Sequence, residues 1–171
     1  MRKKRLLQLT AALLCAVILS ACGGAPADAD YTCTVSISCA TILDNMDQCA
    51  ESKKELVPAD GVILPPTEVA FAEGESAFDV LQRVCRDNGI HLESKFTPVY
   101  NSAYIQGIHN IYEFDVGKLS GWMYAVNDWF PNYGCSLYQV QDGDVIRWVY
   151  TCDLGADGQA AGDGQQEGAS T

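Results

Sequence analysis

The 171 residues carry 22 Asp and Glu against 11 Lys and Arg, a formal net charge of −11 at pH 7. An acid excess of that size repels phosphate backbones and anionic headgroups, which excludes nucleic acid as a partner. The length suits one domain. The longest apolar run, Leu6 to Leu19 with Gln8 and Thr10 inside it, is too short for a membrane-spanning helix, which needs about 20 apolar residues.

That run has the dimensions of a signal-peptide core instead. Arg2, Lys3, Lys4 and Arg5 precede it, and Leu19-Ser20-Ala21-Cys22 follows. A basic start, an apolar core and small residues at the break are the order of a secretory signal. A cysteine directly after the small residues is what a lipoprotein signal peptidase accepts. The expectation is removal of residues 1–21, lipidation of the Cys22 thiol with acyl chains such as palmitate, and an extracytoplasmic protein anchored to the cell membrane. Two or more chains anchor stably where one binds marginally. An ordinary secretory signal with an incidental cysteine is the alternative. Residue 23 is Gly rather than Asp, so the usual inner-membrane retention signal of Gram-negative cells is absent. Four of the basic residues and none of the acids lie in 1–21, which leaves seven bases against 22 acids beyond them.

Residues 22–30 read as a tether of Gly, Ala, Asp and Pro. Residues 31–152 read as the folded domain. Residues 153–171 hold Leu154 as their one sizeable apolar residue, too little to offset the entropy of ordering, and read as a disordered tail. Asp153, Asp157 and Asp163 miss the spacing of an EF-hand loop, and no metal is expected.

Within the domain, Tyr31 to Cys39 alternates strictly. Cys33, Val35, Ile37 and Cys39 face one way and the Thr and Ser residues the other, the period of a half-buried strand. Thr41 to Lys54 is mixed and suggests a short helical or looped insertion. Pro65-Pro66 predicts a break, and Glu68 to Phe71 a second strand. Ser76 is an N-cap with Asp79 as capping-box partner. Phe78, Leu81, Val84 and Cys85 share a helical face, Val80 flanks it, and Asn88-Gly89 ends the helix. Ile90–Tyr100, Tyr104–Ile108, Ile111–Phe114 and Gly121–Asn127 read as strands of an antiparallel meander. Asp128–Ser136 is a loop, Gln141–Asp144 a tight turn, and Val145–Thr151 the last strand. One helix among these strands is an α+β arrangement. A β-grasp-like mixed sheet of four or five strands, with the first and last paired in parallel at its centre, fits the order. A β-sandwich is the alternative that the capped helix argues against.

Six cysteines remain in the domain: Cys33, Cys39, Cys49, Cys85, Cys135 and Cys152. No close pair suits zinc, and an oxidising compartment permits disulfides. Spacing alone does not choose a pairing. Parallel first and last strands would bring Cys39 to Cys152 and Cys33 toward Cys135, leaving Cys49 for Cys85, so a disulfide-stabilised domain is expected.

Gly121-Trp-Met-Tyr-Ala-Val-Asn127, followed by Tyr138, Asp142-Gly-Asp-Val-Ile146, Trp148 and Tyr150-Thr-Cys152, resembles the transcobalamin C-terminal-like domain over about Val35 to Cys152. The resemblance implies a β-grasp-like fold and an uncharacterised bacterial surface lipoprotein branch. In vitamin B12 carriers this domain covers one face of the corrinoid and a helical α/α barrel holds the other. No such barrel is present in these 171 residues. The resemblance therefore implies an interaction or ligand-binding module for an unknown small molecule or surface protein, with cobalamin binding as the alternative and no cofactor required.

No catalytic residue is expected. His91 and His109 have no Ser, Cys or Asp at motif spacing, and phosphate loops, zincin motifs and nucleophile elbows are absent. The unusual feature is aromatic density. Trp122, Tyr124, Trp148 and Tyr150 lie on strands and read as core. Trp129, Phe130 and Tyr133 lie beside turn residues in a loop. With Asn127 they are the candidate ligand-binding residues, and a loop folded over an open sheet end is the competing reading. Of these readings the anchor is the most direct to check. Cys22→Ala is expected to leave an unprocessed precursor or a released protein by detergent partitioning, and unchanged processing with membrane retention would refute it.

Overall fold

The computed structural model describes Pro26 and residues 29–157. The signal segment, Cys22 and residues 158–171 lie outside the described residues. In chain order the elements are β1 (Tyr31–Ser38), two 3-10 helices (Ala40–Asn45 and Glu51–Leu56), β2 (Val62–Phe71) and α1 (Ala77–Asp87). There follow β3 (Leu92–Thr97), β4 (Ser102–Ile108), β5 (Ile111–Tyr112), β6 (Gly121–Val126), a 3-10 turn (Cys135–Leu137) and β7 (Val145–Thr151).

The first strand buries Cys33, Val35 and Ile37, as its alternation demands, and the last buries Ile146, Trp148 and Tyr150. The two pair in parallel, with Val35 opposite Ile146 and Ile37 opposite Trp148. With β2 beside β1 and β6 beside β7, the four-stranded sheet runs β2-β1-β7-β6, so the ends of the fold meet at its centre. The α+β class is thus as the residue pattern implied. Helix α1 carries the expected capping box: Ser76 Oγ accepts from Asp79 N at 3.2 Å, and Asp79 Oδ2 accepts from Ser76 N at 2.9 Å. It buries Val80, Leu81, Val84 and Cys85, whereas Phe78 is half-buried. Arg83 is buried as well. It forms an ion pair with Glu75 and donates to Ala70 O at 2.8 Å, which holds the helix to the end of β2.

Three expectations are corrected. The meander is not one sheet: β3, β4 and β5 form a separate three-stranded antiparallel sheet. Side chains of the larger sheet occupy the carbonyls of β5. The Trp122 indole N–H donates to Ile111 O at 2.9 Å, and Tyr150 Oη to Tyr112 O at 2.7 Å. Next, Pro65-Pro66 does not break the chain; it lies inside β2. That strand is a sheet edge, where a missing N–H is tolerated, and its register with β1 slips between Val35 and Ile37.

The last correction concerns the cysteines: the six among the described residues all have free thiols. Cys39–Cys152, Cys33–Cys135 and Cys49–Cys85 are not formed. Cys39 and Cys152 do lie in one neighbourhood, but Cys49 sits beside them and not beside Cys85. Cys85 points into the helix core, where burial alone pushes its thiol up to about 12. Cys33 faces Arg83, Asp144 and Glu75, whereas Cys135 lies against Ala103 O at 3.7 Å. The ordered chain also runs past Cys152, with Leu154 N donating to Leu119 O at 2.9 Å and Cys152 N to Asp157 Oδ2 at 2.7 Å.

Asp144, 4% exposed, ties the entry of β7. Its carboxylate accepts from Asn127 Nδ2, Tyr138 Oη and Gln141 N, each at 2.8 Å. Its backbone carbonyl accepts from Thr34 N at 2.8 Å. Asp144→Ala would strand three donors and should lower unfolding stability in urea by about 2–4 kcal/mol; a loss below about 1 kcal/mol would show the network to be dispensable.

Alkaline pH should act through the core phenols. Burial, then Asp144, pushes Tyr138 up to about 12, and burial also drives Tyr124 and Tyr150 upward. A raised folded-state value favours the protonated phenol. Its stabilisation is full below the unfolded value of about 10 and is lost as pH rises through about 12. Circular dichroism and phenolate absorbance should therefore change together above about pH 10, and independent transitions would contradict this.

Candidate ligand-binding cleft

The β6 strand ends in a two-residue turn, Val126 to Trp129, closed by Val126 N to Trp129 O at 2.8 Å and Trp129 N to Val126 O at 2.9 Å. Asn127 and Asp128 occupy its centre at φ 49° and 66°, the left-handed positions of a type I′ turn, which Asn and Asp tolerate. Beyond it, the loop of residues 129–136 folds back against β4. Ser136 Oγ accepts from Ala103 N at 3.0 Å and meets Ser102 Oγ at 2.7 Å. Tyr124 Oη donates to Tyr133 O at 3.0 Å. Gly134 is required at the closest approach, since a Cβ there would stand 1.9 Å from Ser102 Oγ.

Between the loop and the β3–β4 hairpin lies a cavity of about 300 Å³, walled by Tyr100, Tyr104, Asn132 and Tyr133 with Ser102 and Gly134 behind. A second, of about 190 Å³, shares Tyr104, Tyr133 and Gly134 and reaches Trp122, Tyr124 and Trp148 on the large sheet. The two make one cleft, at the lower end of the ~300–1,000 Å³ typical of small-molecule sites.

No Asp, Glu, Lys, Arg or His lines either cavity. The phenol of Tyr104 donates to Glu113 Oε2 at 2.5 Å and is pushed up to about 12, first by burial and then by that carboxylate. Burial likewise pushes the Cys135 thiol up to about 12. The walls carrying these groups therefore stay neutral at ordinary pH. On the inner wall, Tyr124 stacks on Trp148 with ring centres 5.5 Å apart. Trp148 is 2% exposed, and its indole N–H has no acceptor among the described residues. Such an orphan donor costs about 1–3 kcal/mol. The Trp122 N–H, by contrast, is bonded to Ile111 O.

Of the four candidate residues, the structure places one in the cleft wall. Tyr133 lines both cavities. Trp129 stands outside them, half-exposed, with its ring 5.9 Å from that of Tyr133 in an edge-on contact. Phe130 lines neither cavity. Asn127 is a strut: Val145 N donates to its Oδ1 at 2.9 Å while its Nδ2 holds Asp144. Sequence reasoning missed Tyr100, Ser102 and Tyr104. Their strand-and-turn pattern showed a hairpin, but nothing local indicates that the hairpin faces the loop from residue 129. Elsewhere, His91 meets Tyr112 Oη at 3.4 Å, and no Ser, Thr or Cys is hydrogen-bonded to a histidine among the described residues. Those residues hold no cluster of three metal ligands either.

A scan of family models matches residues 74–152 to the family described as Domain of unknown function (DUF4430). Among solved structures, the fold is similar to haptocorrin in complex with Cbi, with a TM-score of 0.51 and 14% identity. That match covers 72% of this chain and 26% of haptocorrin, so the chain spans about a quarter of that protein. A Ruminococcus gnavus protein described as a candidate metal binder matches with a TM-score of 0.42 and 15% identity, over 71% of this chain and 97% of its own. No curated protein matches the sequence. The resemblance carried by Gly121–Asn127 and Asp142–Trp148 agrees with these findings: residues 74–152 match the DUF4430 model, and the fold is similar to that of haptocorrin.

Proposed function

We propose that this chain is a lipoprotein held outside the cytoplasm by lipid on Cys22, and that its domain is a non-catalytic binding module of β-grasp-like fold. The observation that carries the binding reading is the uncharged, aromatic-walled cleft stapled between the loop of residues 129–136 and β4. A surface that neither ionises nor offers a nucleophile paired with a base suits capture rather than turnover. The parallel pairing of β1 and β7 at the sheet centre supports the β-grasp reading.

A specific observation favours a second reading, capture of a corrinoid. Haptocorrin, solved with Cbi, shares the fold. The match reaches 26% of that protein, so most of its structure has no counterpart in the comparison. A cyanocobalamin titration followed by absorbance tests this reading directly.

The binding reading itself is tested by a fragment screen with ¹⁵N-labelled full chain in lauryldimethylamine oxide micelles. Shifts should cluster at Tyr100, Tyr104 and Tyr133. Gly134→Ala, whose Cβ would overlap Ser102 Oγ at 1.9 Å, should abolish them while costing about 1–3 kcal/mol of stability. Shifts confined to other surfaces, or unchanged by that variant, would overturn the assignment.

A further inference from the structure

The cleft's walls are neutral, and several of their polar groups are uncommitted. Tyr100, Tyr133, Thr97 and Asn132 line the larger cavity, and their hydroxyl and amide groups make no side-chain hydrogen bond among the described residues. Each of these groups both donates and accepts. A carboxylate or phosphate ligand is favoured by cations and a cationic ligand by carboxylates; neither charge is present in the walls. The net charge of −11 further repels anions from the whole surface. Ligand hydroxyls, which also donate and accept, match this lining.

The same walls present aromatic rings. Tyr100, Tyr104 and Tyr133 are 72%, 44% and 38% exposed, and Trp129 braces Tyr133 from outside. The negative face of an aromatic ring attracts polarised C–H groups and offers apolar area. A pyranose carries both features at once: an apolar face of C–H bonds and a rim of hydroxyls. Deeper in, the rings of Trp122, Tyr124 and Trp148 extend the apolar wall into the smaller cavity.

We propose that the cleft binds a neutral saccharide, one sugar ring stacking on Tyr133 and its hydroxyls meeting Tyr100, Thr97 and Asn132. This rests on the binding-module reading above and names the ligand class for that site.

Isothermal titration calorimetry of the full chain in lauryldimethylamine oxide micelles tests it. The probes are neutral hexaoses of glucose, mannose, xylose and N-acetylglucosamine, with hexagalacturonate and cyanocobalamin as contrasts. At least one neutral hexaose should bind with Kd below about 1 mM, and hexagalacturonate should not. Tyr133→Ala should weaken that binding about tenfold or more with an unchanged Tm. Tyr31→Ala, at an exposed ring packed on Phe71 away from the cleft, should leave it intact. No binding by any neutral hexaose, or binding indifferent to Tyr133→Ala, overturns the saccharide inference. If cyanocobalamin or fragments still bind at the cleft, the module reading survives that failure. If they do not, both fall together.

Discussion

A single buried carboxylate organises the entry to the last strand. Asp144 receives a side-chain amide from the end of β6, a phenol from Tyr138 and a backbone N–H from Gln141, while its own carbonyl holds Thr34 on β1. A charge this deep is tolerated only when its oxygens are satisfied. Satisfying them ties the turn before β7 to the end of β6 at Asn127, and the Asp144 carbonyl adds Thr34 of β1. From there β7 runs beside β1, and Ile146 and Trp148 meet Val35 and Ile37 across the sheet. Parallel pairing of chain ends has no local turn to enforce it, so a polar clamp at the strand entry is a natural way to set its register.

The same clamp controls the cleft. Asn127 bonds both Asp144 and Val145, which holds the left-handed turn after β6 and the direction in which residues 129–136 leave the sheet. The loop then closes on β4 through Ser136 and the bare backbone of Gly134. A site whose walls are bonded to two sheets before any ligand arrives loses little conformational entropy on binding. Its neutrality has a local origin too. Burial and the neighbouring Glu113 keep the Tyr104 phenol protonated, and burial does the same for Cys135.

The misjudged elements share a cause. Pro65-Pro66 reads as a break because proline removes a donor, yet an edge strand has a row of N–H groups with no partner to lose. The strands after α1 read as one meander because consecutive short strands commonly pair. Here the Trp122 indole and the Tyr150 phenol take the carbonyls of β5. Elimination pairs Cys49 with Cys85, whereas the segment of the two 3-10 helices carries Cys49 to Cys39 and Cys152.

Local patterning sufficed for elements whose burial follows a short period. The alternation of β1, the capping box and Gly89 terminus of α1, the turn before β7 and the α+β class could all be read from neighbouring residues. The aromatic loop was legible as a place for recognition only in part: Tyr133 lines the cleft, while Asn127 is a strut and Phe130 lies outside the wall. Tyr100, Ser102, Tyr104 and Trp148 became site residues through contacts between segments far apart in the chain. Periodicity reports which side of an element is buried. It carries no information about which other element covers that side, and the division into two sheets, the cleft between them and the state of the thiols were all decided there.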